Sequence, residues 1–255
     1  MLGAYDTITI LTGGLVVGAW RHALIVGKKG ASCVRVLVIN PNTQVELSYA
    51  LAETVRNKLP EAEIVAFCPI RGPLSIESER DAWESAWYCM EELGELPAEM
   101  DAVIVACYSD HPLIPVLRDR LVHKPVIGIL QASLWASANA GIPPLIVTSG
   151  DSWIPVLSNY LSQRQQEGIV RAVHASAADL FANSSATIDA IRTELVDADP
   201  STPYALCLGC AAMTGLTSHI TPHWSYPVID GVEAAADWIK NWCEERVCDG
   251  DKRLR

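Results

Sequence analysis

Cations are scarce in this sequence. Nineteen lysines and arginines face thirty aspartates and glutamates, a formal charge of −11, and no stretch concentrates the positive charge there is. Binding to a polyanion needs such a concentration to displace counterions, so nucleic acid is not an expected partner. Anionic small molecules gain no long-range attraction either. A membrane-length apolar run is missing too. Ile8 to Trp20 is interrupted by threonine and glycine and stops at Arg21, short of the about 20 residues a spanning helix requires. A secretory signal carries its cations ahead of the apolar run, whereas here Asp6 precedes it and Arg21, Lys28 and Lys29 follow. No membrane partner is expected, and residues 1–33 read as an accessory or poorly ordered extension of unassigned role.

A dense disulfide framework is the third absence. Eight cysteines (33, 68, 89, 107, 207, 210, 243 and 248) are spread through 255 residues, several inside apolar runs, where free cysteine packs as a small hydrophobe. This usage suits a reducing, cytoplasmic setting. Zinc would want a second cysteine pair to match Cys207-x-x-Cys210, and Cys107 with His111 supplies only one of each. A redox dithiol opens a helix, whereas this pair straddles a strand end and points to opposite faces. Cys33, Cys68, Cys89, Cys243 and Cys248 read as packing residues.

What is present is a repeated pattern. Residues 204–208 form an apolar strand that delivers Cys210 into a turn of small residues, and residues 102–106 do the same for Cys107. The two thiols lie 103 positions apart, Pro125-Val-Ile aligns with Pro227-Val-Ile at an offset of 102, and Val36 to Thr43 matches the stretch beginning at Leu145. In both halves the order is a polar-tipped strand, helix, strand, cysteine-tipped strand, helix and Pro-Val-Ile strand. Strands are expected at 34–39, 64–67, 103–106, 126–129, 145–147, 169–173, 204–208 and 228–229. The helices between them are expected at 44–59, 79–93, 131–140, 153–165 and 185–196, with a closing one at 233–245. Such alternation predicts an α/β protein of two pseudo-symmetric lobes, each a parallel sheet covered by helices, with the active site in the cleft between them. The expected division is 34–129 plus 230–248 for the first lobe, 130–229 for the second, and a charged tail at 249–255. Trp83 and Trp87, one helical turn apart, read as core or subunit contact. His111 reads as a surface or capping residue.

One thiol on each side of a ligand suits inversion of a carbon that bears an acidic hydrogen: one sulfur removes the proton from one face while the other supplies one to the opposite face. A helix N-terminus beside either sulfur would lower its pKa and make it a better base.

The chain resembles the hydantoin/allantoin racemases of the aspartate/glutamate racemase superfamily. The pieces that carry the resemblance are Val38-Ile-Asn-Pro-Asn-Thr43, Arg71-Gly-Pro-Leu-Ser-Ile-Glu77, Ala106-Cys-Tyr-Ser-Asp110, Pro125-Val-Ile-Gly-Ile129, Leu208-Gly-Cys-Ala-Ala-Met213 and Pro227-Val-Ile-Asp-Gly231. They run in family order through residues 34–240. The resemblance implies Cys107 and Cys210 as proton donor and acceptor, with no cofactor and no metal. It also implies substrate contacts from Asn40, Asn42, Ser109, Thr148 and Ser149, with Gly209 and the backbone N–H groups of Tyr108 and Ala211 beside a developing enolate. The chain departs from the family pattern at Ala212 (a glycine there is usual), at Gln131 (usually glutamate), and at His111-Pro112.

The polar strand tips are neutral, whereas a dicarboxylate site would want cations. A small neutral cyclic ureide, a 5-substituted hydantoin or allantoin, is the expected substrate. The alternatives are another cysteine-dependent isomerase, an amino-acid racemase or decarboxylase of the same superfamily, or a non-catalytic ureide-binding protein. Eight tryptophans leave scope for a homo-oligomer interface.

Overall fold

The computed structural model describes residues 9–10, 24–26, 34–94, 100–182, 184–195 and 202–248. The charged tail at 249–255 lies outside the described residues. In chain order the elements are β1 (Thr9–Ile10), β2 (Leu24–Val26), β3 (Arg35–Ile39), α1 (Val45–Lys58), β4 (Glu63–Phe67), α2 (Glu79–Leu93), β5 (Ala102–Val105), α3 (Leu113–Arg120), β6 (Val126–Gly128) and α4 (Ile129–Asn139). The second half continues with β7 (Pro144–Ser149), α5 (Trp153–Gln163), β8 (Ile169–Val173), α6 (Ala177–Ala182), α7 (Ser184–Leu195), β9 (Ala205–Gly209), α8 (Thr217–Ile220), β10 (Val228–Asp230) and α9 (Gly231–Cys248), with a 3-10 turn at Ala211–Met213.

Strand order carries the duplication. The first sheet runs β1-β2-β4-β3-β5-β6 and the second β10-β9-β7-β8. Without β1 and β2, the two share one connectivity, and every pairing within those two sets of four is parallel. Strands buried on both faces need continuous apolar sequence, which Val36–Ile39, Val103–Val105 and Leu145–Val147 supply. One apolar cluster packs one face of each sheet against α1, α4, α5 and α9, and the outer faces are covered by two separate clusters. Leu47, Leu51 and Val55 of α1 are fully enclosed, each contributing about 2 kcal/mol by burial.

The N-terminal segment departs from the expectation of a wholly parallel lobe. β2 pairs antiparallel with β4, and β1 antiparallel with β2, so part of residues 1–33 belongs to the first sheet. Among the described residues, no helix is long and apolar enough to cross a membrane. Trp83 and Trp87 are 68% and 66% exposed, which rules out the core reading for both.

In each sheet the chain leaves the central strand in one direction and returns on the other side, so the crevice at the carboxyl ends of β3 and β5, and of β7 and β9, is where ligands gather in such folds. Register puts Ile39 beside Val105 and Thr148 beside Gly209. Asn40 and Ala106, with Cys107 the next residue, and likewise Ser149 and Cys210, therefore emerge side by side.

Candidate active site

A cavity of about 420 Å³, counting its open mouth, lies where these four strand ends meet. Its wall holds Asn40, Asn42, Cys107, Tyr108, Thr148, Ser149, Gly209, Cys210 and Ala211, with Pro41, Leu47, Ile76, Ala106, Trp153, Ala177 and Ala212. Of the expected site residues only Ser109 is not on the wall; it stands behind, its hydroxyl 3.4 Å from Cys107 Sγ. The apolar side of the wall was not foreseen, because Leu47, Ile76, Trp153 and Ala177 come from helices and loops remote in sequence. A concave wall of apolar side chains with a few convergent polar groups is the make-up of a small-molecule site.

Asn40 and Asn42 build the turn as well as facing the cavity. Asn40 Nδ2 donates to the Gln44 carbonyl at 2.9 Å and to Ser48 Oγ at 3.0 Å, which uses both its protons. Asn42 Oδ1 accepts Gln44 N–H at 2.9 Å, leaving its amide hydrogens for a ligand. Thr148 donates its hydroxyl to the Gly209 carbonyl at 3.0 Å and can only accept from a ligand. Gly209 is required here: a Cβ would stand 2.8 Å from the Val147 carbonyl oxygen.

Each thiol keeps some exposure to the cavity and is otherwise enclosed by protein. Enclosure pushes Cys107 up to about 12, against the lowering effect of the Ser109 hydroxyl and with small upward contributions from Cys210 and Glu77. Cys210 is pushed up to about 11 by the same burial, opposed by the Ala212 N–H and the Ser149 hydroxyl. The expectation of a pKa lowered by a helix N-terminus is thus corrected. α3 begins six residues after Cys107, at Leu113, and Cys210 meets only the three-residue turn Ala211–Met213. Enclosure thus favours the thiol form of both sulfurs.

Backbone donors accompany them. The N–H groups of Cys107, Tyr108, Cys210 and Ala211 have no hydrogen-bond acceptor among the described residues, giving two donors beside each thiol. The Tyr108 ring fills the core; its phenol oxygen lies beside Cys207 and Ser133 without a hydrogen bond of good geometry. Cys207 is fully buried in that core, a packing residue as its strand position implied. Cys68 and Cys89 are buried likewise and Cys243 is half-buried; Cys33 and the side chain of Cys248 lie outside the described residues.

His111 is wholly buried, not on the surface. Its Nδ1 accepts the Leu113 N–H at 3.3 Å, capping α3, and its Nε2–H points to Ser85 Oγ at 2.9 Å. Ser85 in turn donates to the Ala82 carbonyl. This pattern fixes the neutral Nε2–H form, and burial lowers the pKa to about 3. Among the described residues, no three His, Cys, Asp or Glu side chains converge as a metal site would need. At Gln131 the side chain donates to Asp110 Oδ1 at 3.0 Å, where a glutamate would set two carboxylates against each other.

A family model described as Asp/Glu/hydantoin racemase matches residues 36–239. The chain belongs to this family. An uncharacterised protein of Schizosaccharomyces pombe is 32% identical over 220 residues, spanning 81% of this chain and 90% of that protein. The hydantoin racemase of a Pseudomonas species is 28% identical over 213 residues, spanning 81% and 85%. The crystal structure of allantoin racemase from Pseudomonas fluorescens superposes with a TM-score of 0.75 at 28% identity, covering 83% of this chain and 92% of that one. Membership places the protein among the racemases and isomerases, and the family's two-sheet α/β architecture is the one described above.

Proposed function

We propose that the protein racemises a neutral cyclic ureide, a 5-substituted hydantoin or allantoin, without a cofactor, using Cys107 and Cys210 as its acid/base pair. The observation that carries this reading is the cavity wall itself: two thiols on structurally equivalent strand ends, and no charged side chain among the lining residues. A dicarboxylate would find no cation to hold it. The hydantoin and allantoin racemases among the relatives support the same substrate class.

In the proposed reaction one sulfur, as thiolate, takes the C5 proton and becomes a thiol. The C–H electron pair moves into the ring carbonyl, and the resulting enolate oxygen is held by the free N–H donors beside the thiols. The second sulfur then gives its proton to the opposite face of C5 and is left as thiolate, so the pair has exchanged roles and the next turnover runs in reverse. Burial disfavours the thiolate, while Ser109 on one side and Ser149 with Ala212 N–H on the other stabilise it. Asn42 and Thr148 offer the ureide a donor and an acceptor.

The division into lobes at 34–129 plus 230–248 and at 130–229 belongs to this reading, as do a cytoplasmic setting and a homo-oligomer; the packing of α9 on α1 supports the first, while its packing on α4, which lies almost wholly in 130–229, crosses the division. The test is proton NMR of a 5-substituted hydantoin and of allantoin in D₂O with the purified protein, alongside polarimetry. Loss of the C5 proton signal together with optical rotation is the expected result. Neither substrate exchanging above the buffer rate would refute the ureide assignment.

A further inference from the structure

Glu77 is the last residue of the quoted Arg71–Glu77 stretch and the one acidic residue in it. It sits just before the Ser78 cap of α2, where Ser78 Oγ accepts Asp81 N–H at 3.2 Å and Asp81 Oδ2 accepts the Glu77 N–H at 3.0 Å. That reciprocal pair fixes the backbone of Glu77 on the first sheet's side of the molecule. Its remaining polar atoms reach toward the second sheet's half. Oε1 accepts the Ala177 N–H, 100 residues away, at 3.1 Å, and the Ser75 hydroxyl as well. The carbonyl accepts Ser152 Oγ, 75 residues away, at 2.8 Å. Oε2 lies against Gly150, whose φ is +66°, and a Cβ there would stand 3.7 Å from it.

Ile76 and Ala177, on either side of this contact, both line the cavity. The carboxylate therefore stands one residue behind the wall, at a seam between the two halves. Its charge disfavours ionisation of both Cys107 and Cys210, and among the described residues it is the carboxylate that acts on either. A single charge behind an uncharged, low-dielectric wall acts strongly on whatever enters.

We propose that Glu77 is a positioning and specificity residue: it latches the loop before α2 to the other half of the molecule across the thiol cavity, and its charge makes that cavity reject anionic ligands. In its substrate form this rests on the ureide reading; in its charge form it concerns the two thiols alone. Two variants separate the parts. Glu77→Gln keeps an acceptor for Ala177 and removes the charge, whereas Glu77→Asp keeps the charge on a side chain too short for the latch.

The experiment compares alkylation of Cys107 and Cys210 by neutral iodoacetamide and anionic iodoacetate, read peptide by peptide by mass spectrometry on folded protein. Glu77→Gln should raise the iodoacetate-to-iodoacetamide rate ratio at both thiols about tenfold. Glu77→Asp should leave that ratio near the wild-type value and speed both reagents at least about threefold, because the loop no longer closes the cavity. An unchanged ratio in Glu77→Gln overturns the charge filter, and unchanged access in Glu77→Asp overturns the latch. If the wild type racemises 5-methylhydantoin, Glu77→Gln should also gain about tenfold for 5-carboxymethylhydantoin relative to it. Failure of the wild type on the neutral ureide removes the substrate reading and leaves the alkylation result standing.

Discussion

After β5 the chain takes an irregular path through residues 106–112 before α3 begins, whereas after β9 it winds at once into the 211–213 turn. The two ends share a register and each presents a thiol, yet each is secured by its own anchor. Behind Cys107 the anchor is a neutral imidazole, His111, tied to Ser85 and Leu113. Behind Cys210 it is the buried carboxylate of Asp230. Its Oδ2 accepts Thr214 Oγ1 at 3.0 Å and Gly215 N–H at 2.9 Å, and its Oδ1 caps α9 through Val232 N–H at 2.8 Å. Ionisation differs accordingly: Cys210 has two groups that ease it, Cys107 one. A duplicated scaffold thus places two equivalent sulfurs and leaves them chemically unequal.

The sharpest way to break the equivalence is to remove one sulfur at a time. Cys107→Ser and Cys210→Ser should each reduce racemisation about 10³-fold or more, while C5 exchange with D₂O persists from one face in at least one variant. Equal survival of full racemisation in either would dissolve the pair. The anchors come next. His111→Ala should destabilise the fold by about 3 kcal/mol in urea denaturation, since it leaves Ser85 and the Leu113 N–H unpartnered in a new cavity. With the folded pKa lowered to about 3, the unfolded chain binds the extra proton below about pH 6.5. The stability this neutral histidine contributes is therefore complete above that pH and is lost as pH falls toward 3. Denaturation midpoints measured across that window should show the loss in the wild type and not in the variant. The smallest effect concerns the sulfurs themselves: at alkaline pH a neutral alkylating reagent should modify Cys210 before Cys107, by up to about tenfold.

The fold was legible where burial writes directly into sequence. β8 and α2 fall at the expected residues, and the cysteine-tipped strands, the neutral strand tips and the internal offset led to the polar side of the cavity wall. What escaped depends on contacts between distant segments. His111 looks like any loop histidine until Ser85, 26 residues earlier, is brought against it. Glu77 carried one local signal, as the lone acid in its stretch, but its partners are 75 and 100 residues away. The short α6 and α8 follow no apolar period long enough to read, and β2 lies in a segment whose glycines and threonines hid its strand character.

That last strand has a consequence for how the molecule keeps to itself. A sheet edge with a bare row of N–H and C=O groups invites another chain to pair with it. In the second sheet the outer strand β8 is left at the edge, among the described residues, with charged Arg171 in its middle, its guanidinium held by the Glu194 carbonyl. In the first sheet the equivalent strand β4 reads Glu-Ile-Val-Ala-Phe, is buried throughout, and has no such cation to blunt it. There the chain spends its own leading residues as a cover. A protein trimmed to begin at Val34 would retain every residue of the cavity and leave the edge of β4 unpaired, and its failing would be precipitation before it was loss of chemistry.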